Sequence, residues 1–313
     1  MPQPLGNVLD TPLVDIWQGP KAKEVRASIM DGSFRFCTAC PYLPGPGGPV
    51  VEASPAGQPT TTRIRTLKMD YDQSCNLTCP SCRVEHSNQF VDLKLVKQIH
   101  EKVMSSGIVE LTDQLYITGA GDPFASPVFW PLLQDFPMTS HKPKIFLHTN
   151  GQLFDARHWE LMASSRELIA DVGISVDAAC EKTYTENRRA SWTRLWNNVD
   201  FANFLQADRQ ITLGMFFTVQ ANNYRELIPF LRLAFNHNVE WISITALRNW
   251  GVYTDDDYAR RSVHVPGHPM HEDFKAVLAD PMLKDKRIIV DTFNPLHTSQ
   301  ATLVQLGDAR RKV

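Results

Sequence analysis

The chain has 313 residues, 43% hydrophobic and 21% charged, which is enough for one large core plus a small annex. A formal net charge of -2 with no block of Lys and Arg excludes a partner held by bulk positive charge, so no nucleic acid is expected. No uninterrupted apolar run reaches the roughly 18 residues of a membrane span, and the opening MPQPLGNVLDTPL has neither the basic nor the apolar stretch of a secretory signal.

Residues 1–42 contain one predicted amphipathic helix, over 13–30, with Leu13, Ile16, Trp17, Val25 and Ile29 as its apolar positions. Asp31-Gly32 supplies the stop. The pair Cys37-Thr-Ala-Cys40 follows. So short a piece cannot enclose its own core and needs a metal or the main domain to hold it. Residues 43–62, LPGPGGPVVEASPAGQPTTT, read as an irregular linker.

From residue 63 strands and helices alternate. Strands are predicted at 64–71, 115–118, 144–149, 172–176, 211–219 and 241–245, with a last one at 288–290. Helices are predicted at 90–104, 181–204, 224–236 and 271–279. Regular alternation means parallel strands joined by right-handed crossovers. The predicted fold is therefore α/β: a partial (β/α)6-type parallel barrel over 63–295, a small N-terminal annex before it and a tail over 296–313.

The six cysteines do not form a disulfide framework. Two stand at 37 and 40, three at 75, 79 and 82, and Cys180 is alone. In a large chain without a signal such thiols fit metal binding in a reducing, cytoplasmic setting. Cys75, Cys79 and Cys82 have CxxxCxxC spacing, one ligand short of a closed tetrahedral or cubane site. Three thiolates on a four-iron cluster leave one iron open to a small molecule; the bland alternative is a partial zinc site or three buried thiols. The cysteine loop, Gly119–Asp122, Asn150, Asp177 and Gln220 all follow predicted strand ends, where parallel α/β sheets bind ligands.

In this order the motifs resemble those of the radical S-adenosylmethionine (SAM) superfamily. Cys75-Asn-Leu-Thr-Cys79-Pro-Ser-Cys82 is similar to its cluster loop after the first strand, and Thr118-Gly119-Ala120-Gly121-Asp122-Pro123 to its turn after the second. Ile174-Ser175-Val176-Asp177 is similar to the fourth-strand segment near the cofactor ribose. The resemblance implies a [4Fe-4S] cluster on Cys75, Cys79 and Cys82, with the open iron chelating S-adenosyl-L-methionine. It implies reductive cleavage of the cofactor to a 5′-deoxyadenosyl radical, which abstracts hydrogen from a peptide, protein or small-metabolite substrate. An electron donor such as flavodoxin or ferredoxin is implied as partner.

The same resemblance implies cofactor contacts from Gly119, Ala120, Gly121, Asp122, Asn150, Ser175 and Asp177. Each has a plainer reading: a tight turn at the glycines, a solvated acid or cap at Asp122, a turn at Asn150-Gly151, a helix cap at Ser175 and Asp177. Arg188 and Arg189 are either carboxylate contacts or, more commonly, a surface pair. Many members place an aromatic residue directly before the third cysteine; Ser81 stands there in this chain.

The segment from Leu5 to Pro41 resembles the second half of a SPASM-type auxiliary domain, so Cys37 and Cys40 are candidate ligands of a second iron–sulfur cluster. Cys180 is a candidate further ligand, a hydrogen-atom donor to a substrate radical, or a small packing residue. His264, His268 and His271 fall in a Pro/Gly loop better suited to facing solvent or substrate than to binding metal. Arg248, Asn249, Trp250 and Tyr253 follow the sixth strand and either face substrate or pack the rim. The competing functional class is a non-catalytic iron–sulfur or zinc-binding adaptor on the same fold. A third reading is methyl or sulfur transfer from the same cofactor.

Overall fold

The computed structural model describes residues 4–36, 63–83, 91–137 and 139–290. The candidate auxiliary ligands Cys37 and Cys40, the 43–62 linker and the 296–313 tail lie outside them. Among the described residues seven strands form one sheet in chain order: β1 (Ile64–Met69), β2 (Thr112–Ile117), β3 (Lys144–Thr149), β4 (Ile169–Ser175), β5 (Thr212–Val219), β6 (Trp241–Ala246) and β7 (Ile288–Val290). Every neighbouring pair is parallel, and β1 and β7 are the two edges of an open half-barrel.

The helices are α1 (Leu13–Gln18), α2 (Pro20–Met30), α3 (Leu93–Ser105), α4 (Phe129–Gln134), α5 (Ala156–Leu161), α6 (Glu181–Arg188), α7 (Trp192–Ala207), α8 (Leu227–Asn236), α9 (Asp255–Arg261) and α10 (His271–Leu278). Two predicted helices are each broken in two. The 13–30 segment divides at Gly19, which is extended (φ -68°, ψ 167°) with Pro20 opening the next helix; proline suits a first turn and not an interior. The 181–204 segment divides at Arg189, whose φ of 52° ends α6 in a left-handed residue before the Ser191 hydroxyl caps α7. The short helices α4, α5 and α9 were not expected; at six or seven residues each they are too brief for a periodic pattern to register.

The two faces of the sheet have opposite chemistry. Outward positions are aliphatic and inaccessible, among them Leu115, Ile117, Leu147, Val172, Met215 and Ile244. They pack against helical faces such as Leu195, Val199 and Ala202 of α7 and Leu227, Phe230, Leu231 and Ala234 of α8. Burying each large side chain contributes about 1.5–3 kcal/mol. Leu13, Val14 and Trp17 of α1 rest against the same core, so the annex borrows it. The face inside the half-barrel is instead aromatic and polar, with Lys68, Tyr116, Phe146, His148, Phe216 and Trp241 meeting across the strands.

Trp241 floors this inner face because two strands carry glycine beneath it. A Cβ on Gly214 would lie 1.9 Å from the indole, and one on Gly173 would lie 2.5 Å from Phe216 and 2.9 Å from the indole. Gly214→Ala is therefore expected to destabilise the fold by about 1–3 kcal/mol or more in urea unfolding, with Trp241→Ala in the same chain recovering part of the loss.

Candidate functional site

The cysteine loop leaves β1 and is braced from inside. Buried Asp72 accepts from the Ser74 N–H at 2.9 Å and from the Ser126 hydroxyl at 2.5 Å, tying the loop to the segment before α4. Arg83, the residue after the last cysteine, donates to the Gln73 carbonyl at 2.7 Å, the Ala120 carbonyl at 3.0 Å and Cys82 Sγ at 3.3 Å. One side chain thus closes the loop on itself and joins it to the turn after β2. The N–H groups of Cys82 and Arg83 both donate to the Cys79 carbonyl, a helical turn that brings Cys79 and Cys82 to the same side.

The other strand tips converge on this loop. The Asn150 amide after β3 donates to the Asn76 side chain at 2.8 Å and stands 3.7 Å from Cys75 Sγ. The Cys79 thiol is 3.6 Å from the Arg188 carbonyl at the end of α6. The Leu77 N–H points at Cys75 Sγ from 3.4 Å. Burial pushes the Cys75 thiol up to about 12, with Asp122 adding to the rise and Arg83 opposing it. Burial also raises Cys79, against the pull of Arg188. Such thiols stay protonated until positive charge arrives, and they release protons on binding it.

Gly121 and Asp122 lock the second strand tip onto the loop. The Asp122 N–H donates to the Ser74 carbonyl at 2.8 Å. A Cβ on Gly121 would sit 2.3 Å from that oxygen and 2.9 Å from the Asp72 carbonyl. Gly121→Ala is expected to displace the cysteine loop, seen as faster labelling of its thiols by a thiol reagent together with a loss of about 1–3 kcal/mol of stability. The Asp122 carboxylate is buried and engaged, accepting from the Thr149 hydroxyl and Asn150 N–H at 2.8 Å each and from the Phe124 N–H at 3.1 Å. Gly119 lies over the inner face: a Cβ there would be 3.5 Å from Lys68 Nζ and 3.7 Å from His148 Nδ1, so that side is open. The Ala120 and Gly121 N–H groups both point at the Thr118 hydroxyl.

At the β4 tip, Asp177 adopts φ 60° and is nearly inaccessible. Its carboxylate accepts from the Thr218 N–H at 2.6 Å and from Arg188 Nη1 at 3.0 Å. Asn187 and Asn223 both hold its carbonyl at 3.0 Å. The expected surface pair is thereby corrected: Arg188 has a side chain only 15% exposed because it must reach Asp177, whereas Arg189 turns out to solvent. Arg188 Nε is buried and has no hydrogen-bond partner among the described residues. Ser175 faces inward and its hydroxyl is 2.9 Å from His148 Nε2.

Other expected residues stand elsewhere. Cys180 is exposed and turned to Thr183 and Glu226, at 3.5 and 3.6 Å. His268 and His271 bond the Arg260 and Val263 carbonyls, fastening their loop to its own backbone. Asn249 organises the loop after β6 through Gly251 and Tyr253, leaving Trp250 71% exposed on the rim. Among the described residues no three His, Cys, Asp or Glu side chains are close enough to share one metal ion, and no helix is long and apolar enough to cross a membrane.

Arg83, Tyr116 and the buried position of Arg188 had no motif to announce them. The available signal was positional: Arg83 directly follows the last cysteine of the loop, and Tyr116 is the polar member of an alternating strand.

No family model and no curated protein matches the chain. Solved structures similar in chain path include Streptococcus suis SuiB bound to S-adenosylmethionine, with TM-score 0.46 and 15% identity over 73% of this chain and 51% of that one. TYW1 with a lysine–pyruvate adduct has TM-score 0.43 and 15% identity over 71% of this chain and 74% of that one. Native anSMEcpe with bound AdoMet has TM-score 0.39 and 16% identity over 63% of this chain and 58% of that one. The chain therefore spans little more than half the length of SuiB and of anSMEcpe. Likeness at this level concerns the course of the chain alone.

Proposed function

We propose that the chain is a radical S-adenosylmethionine enzyme whose [4Fe-4S] cluster is held by Cys75, Cys79 and Cys82. The observation that supports the reading is the place of the cysteine loop at the carboxyl ends of parallel strands, with the Asn150 amide beside Cys75 and the Arg188 carbonyl beside Cys79. The residues present suit the group. A thiolate-ligated cluster and a cofactor carboxylate are both acceptors of charge-assisted bonds, and Arg188 offers a buried N–H that has no partner among the described residues. The loop supplies three thiols, one fewer than a closed structural zinc site takes and the number that leaves one iron of a cubane open.

When bound, the cluster and SAM would supply, with one electron from an external donor, methionine and a 5′-deoxyadenosyl radical that takes hydrogen from substrate. The chain's own work is to hold and exclude. Arg83 keeps the cysteine loop closed against the β2 turn. Arg188 balances nearby negative charge, and Asp177 fixes its guanidinium in place. Ser175, Asp177, Gly119 and Ala120 border the cofactor in this reading, with Asp122 and Gly121 as braces and Asn150 against the first cysteine. The aromatic floor of Phe146, Phe216 and Trp241 keeps water from below the reacting region. The substrate class is a peptide, protein or small metabolite, entering past the exposed Trp250 rim.

The test is anaerobic reconstitution with iron and sulfide, reduction with dithionite, and assay of SAM products. Formation of 5′-deoxyadenosine supports the reading. S-adenosylhomocysteine or methylthioadenosine in its place assigns transfer chemistry instead, and zinc without sulfide assigns an adaptor.

A further inference from the structure

His148 bridges two hydroxyls across three strands of the inner face. Its Nδ1 stands 2.7 Å from the Tyr116 hydroxyl of β2 and its Nε2 2.9 Å from the Ser175 hydroxyl of β4. The ring stacks on Phe216 with centroids 4.0 Å apart, and Tyr116 stacks on Phe146 at 4.5 Å, so neither ring is free to turn away. Burial, with the Lys68 and Arg188 cations adding to it, pushes the imidazole down to about 3. It is neutral at neutral pH and carries one N–H and one lone pair.

A neutral imidazole between two hydroxyls has two arrangements. In one, Nδ1–H donates to Tyr116 and Nε2 accepts the Ser175 proton; Ser175 then offers its surroundings only lone pairs. In the other, Tyr116 donates to Nδ1 and Nε2–H donates to Ser175, whose own proton is released for a ligand. The two ends are coupled, because a proton freed at Ser175 is a proton committed at Tyr116.

We propose that His148 is a positioning residue that fixes the Ser175 hydroxyl against the ribose of SAM and, as its Nε2–H tautomer, frees the Ser175 proton for a ribose oxygen. This rests on the reading of Ser175 as a cofactor neighbour. Its consequence reaches the substrate side: a ribose oxygen that takes the Ser175 proton leaves Tyr116 an acceptor toward whatever occupies the inner face. The occupant beside Tyr116 is then a hydrogen-bond donor, such as an amide N–H or an ammonium group.

SAM binding to the anaerobically reconstituted full chain, measured by equilibrium dialysis, tests this. His148→Phe keeps a ring for the Phe216 stack and removes both nitrogens. It is expected to weaken binding about three- to tenfold, the worth of one net hydrogen bond. Ser175→Ala is expected to do the same, and the double variant no worse than either. His148→Gln, whose amide nitrogen can stand in for Nε2, is expected to recover part of the affinity, which a purely structural role would not give. Nitrogen NMR of histidine-labelled protein is expected to show His148 as the Nε2–H tautomer once SAM is added.

Normal affinity in a folded His148→Phe variant, where Ser175→Ala is weakened, overturns the proposal alone. Additive losses in the double variant, or an Nδ1–H tautomer with SAM bound, overturn it equally. Should His148→Phe fail to fold, His148→Gln and the tautomer decide the matter. A wild-type chain with a full cluster that binds no SAM overturns the functional reading itself. Wild-type affinity in Ser175→Ala removes Ser175 from the cofactor's surroundings and the proposal with it.

Discussion

Alanine at Cys75, Cys79 or Cys82 is expected to abolish both cluster assembly and SAM cleavage. Wild-type protein should take up about four irons and matching sulfide per chain, while each variant should retain background iron and make 5′-deoxyadenosine at the level of a no-protein control. The loss should exceed the roughly 10–100-fold that removal of an outer-shell partner costs, because two thiolates cannot hold a cubane that already lacks its fourth ligand. Asn150→Ala supplies that comparison, since its amide stands only beside the first thiol, 3.7 Å from Cys75 Sγ. Cys180→Ala is the internal control. Its thiol faces Thr183 and Glu226, so it is expected to keep full iron and full cofactor cleavage. Wild-type-level product from any of the three loop variants would falsify the cluster assignment.

Legibility in the sequence followed the length and periodicity of each signal. The seven strands among the described residues were readable as short apolar or alternating runs, most of them ending at a polar or glycine-bearing tip. Leu115-Tyr116-Ile117 is typical: the aliphatic pair faces the helices and the tyrosine faces inward. The same alternation, taken residue by residue, also identifies the inner face, but it gives no hint of which inner residues meet. Tyr116, His148 and Ser175 are separated by 32 and 27 positions in the chain and become neighbours only through the parallel register. Helix breaks were less legible, because Gly19-Pro20 and Arg189 each interrupt a run of helix-compatible residues that resumes within one to three positions.

The candidate site divides along the same line. The cysteine spacing is local and could be read directly. The role of Gly121 could not, since its need for a missing Cβ comes from the Ser74 carbonyl, a residue 47 positions earlier that the fold presses against it. Arg188 was left between a carboxylate contact and a surface position, because arginine on a helix end is ordinarily exposed. Its burial depends on Asp177 holding a left-handed conformation that no local pattern announces. Side chains whose work is to join distant tips are the ones that sequence alone hides.

Arg188→Ala is expected to cost about 3–5 kcal/mol of stability in urea unfolding, the usual result of leaving one member of a buried pair uncompensated. The pair meets that description, with an N–O distance of 3.0 Å and side chains 15% and 4% exposed. A loss of this size is a large part of the roughly 5–15 kcal/mol that holds a domain folded. Arg188→Met combined with Asp177→Asn should cost less than the sum of the single changes, because neither charge is then stranded; asparagine also tolerates the φ of 60° at that position. Arg188→Lys separates stability from binding. The ammonium can still meet Asp177, so stability should fall by less than in the alanine variant. It lacks the second N–H that Nε presents, which has no partner among the described residues. If Arg188 serves only the fold, SAM affinity in Arg188→Lys will follow its stability. If the guanidinium also meets the cofactor or cluster, affinity will fall while most of the stability remains.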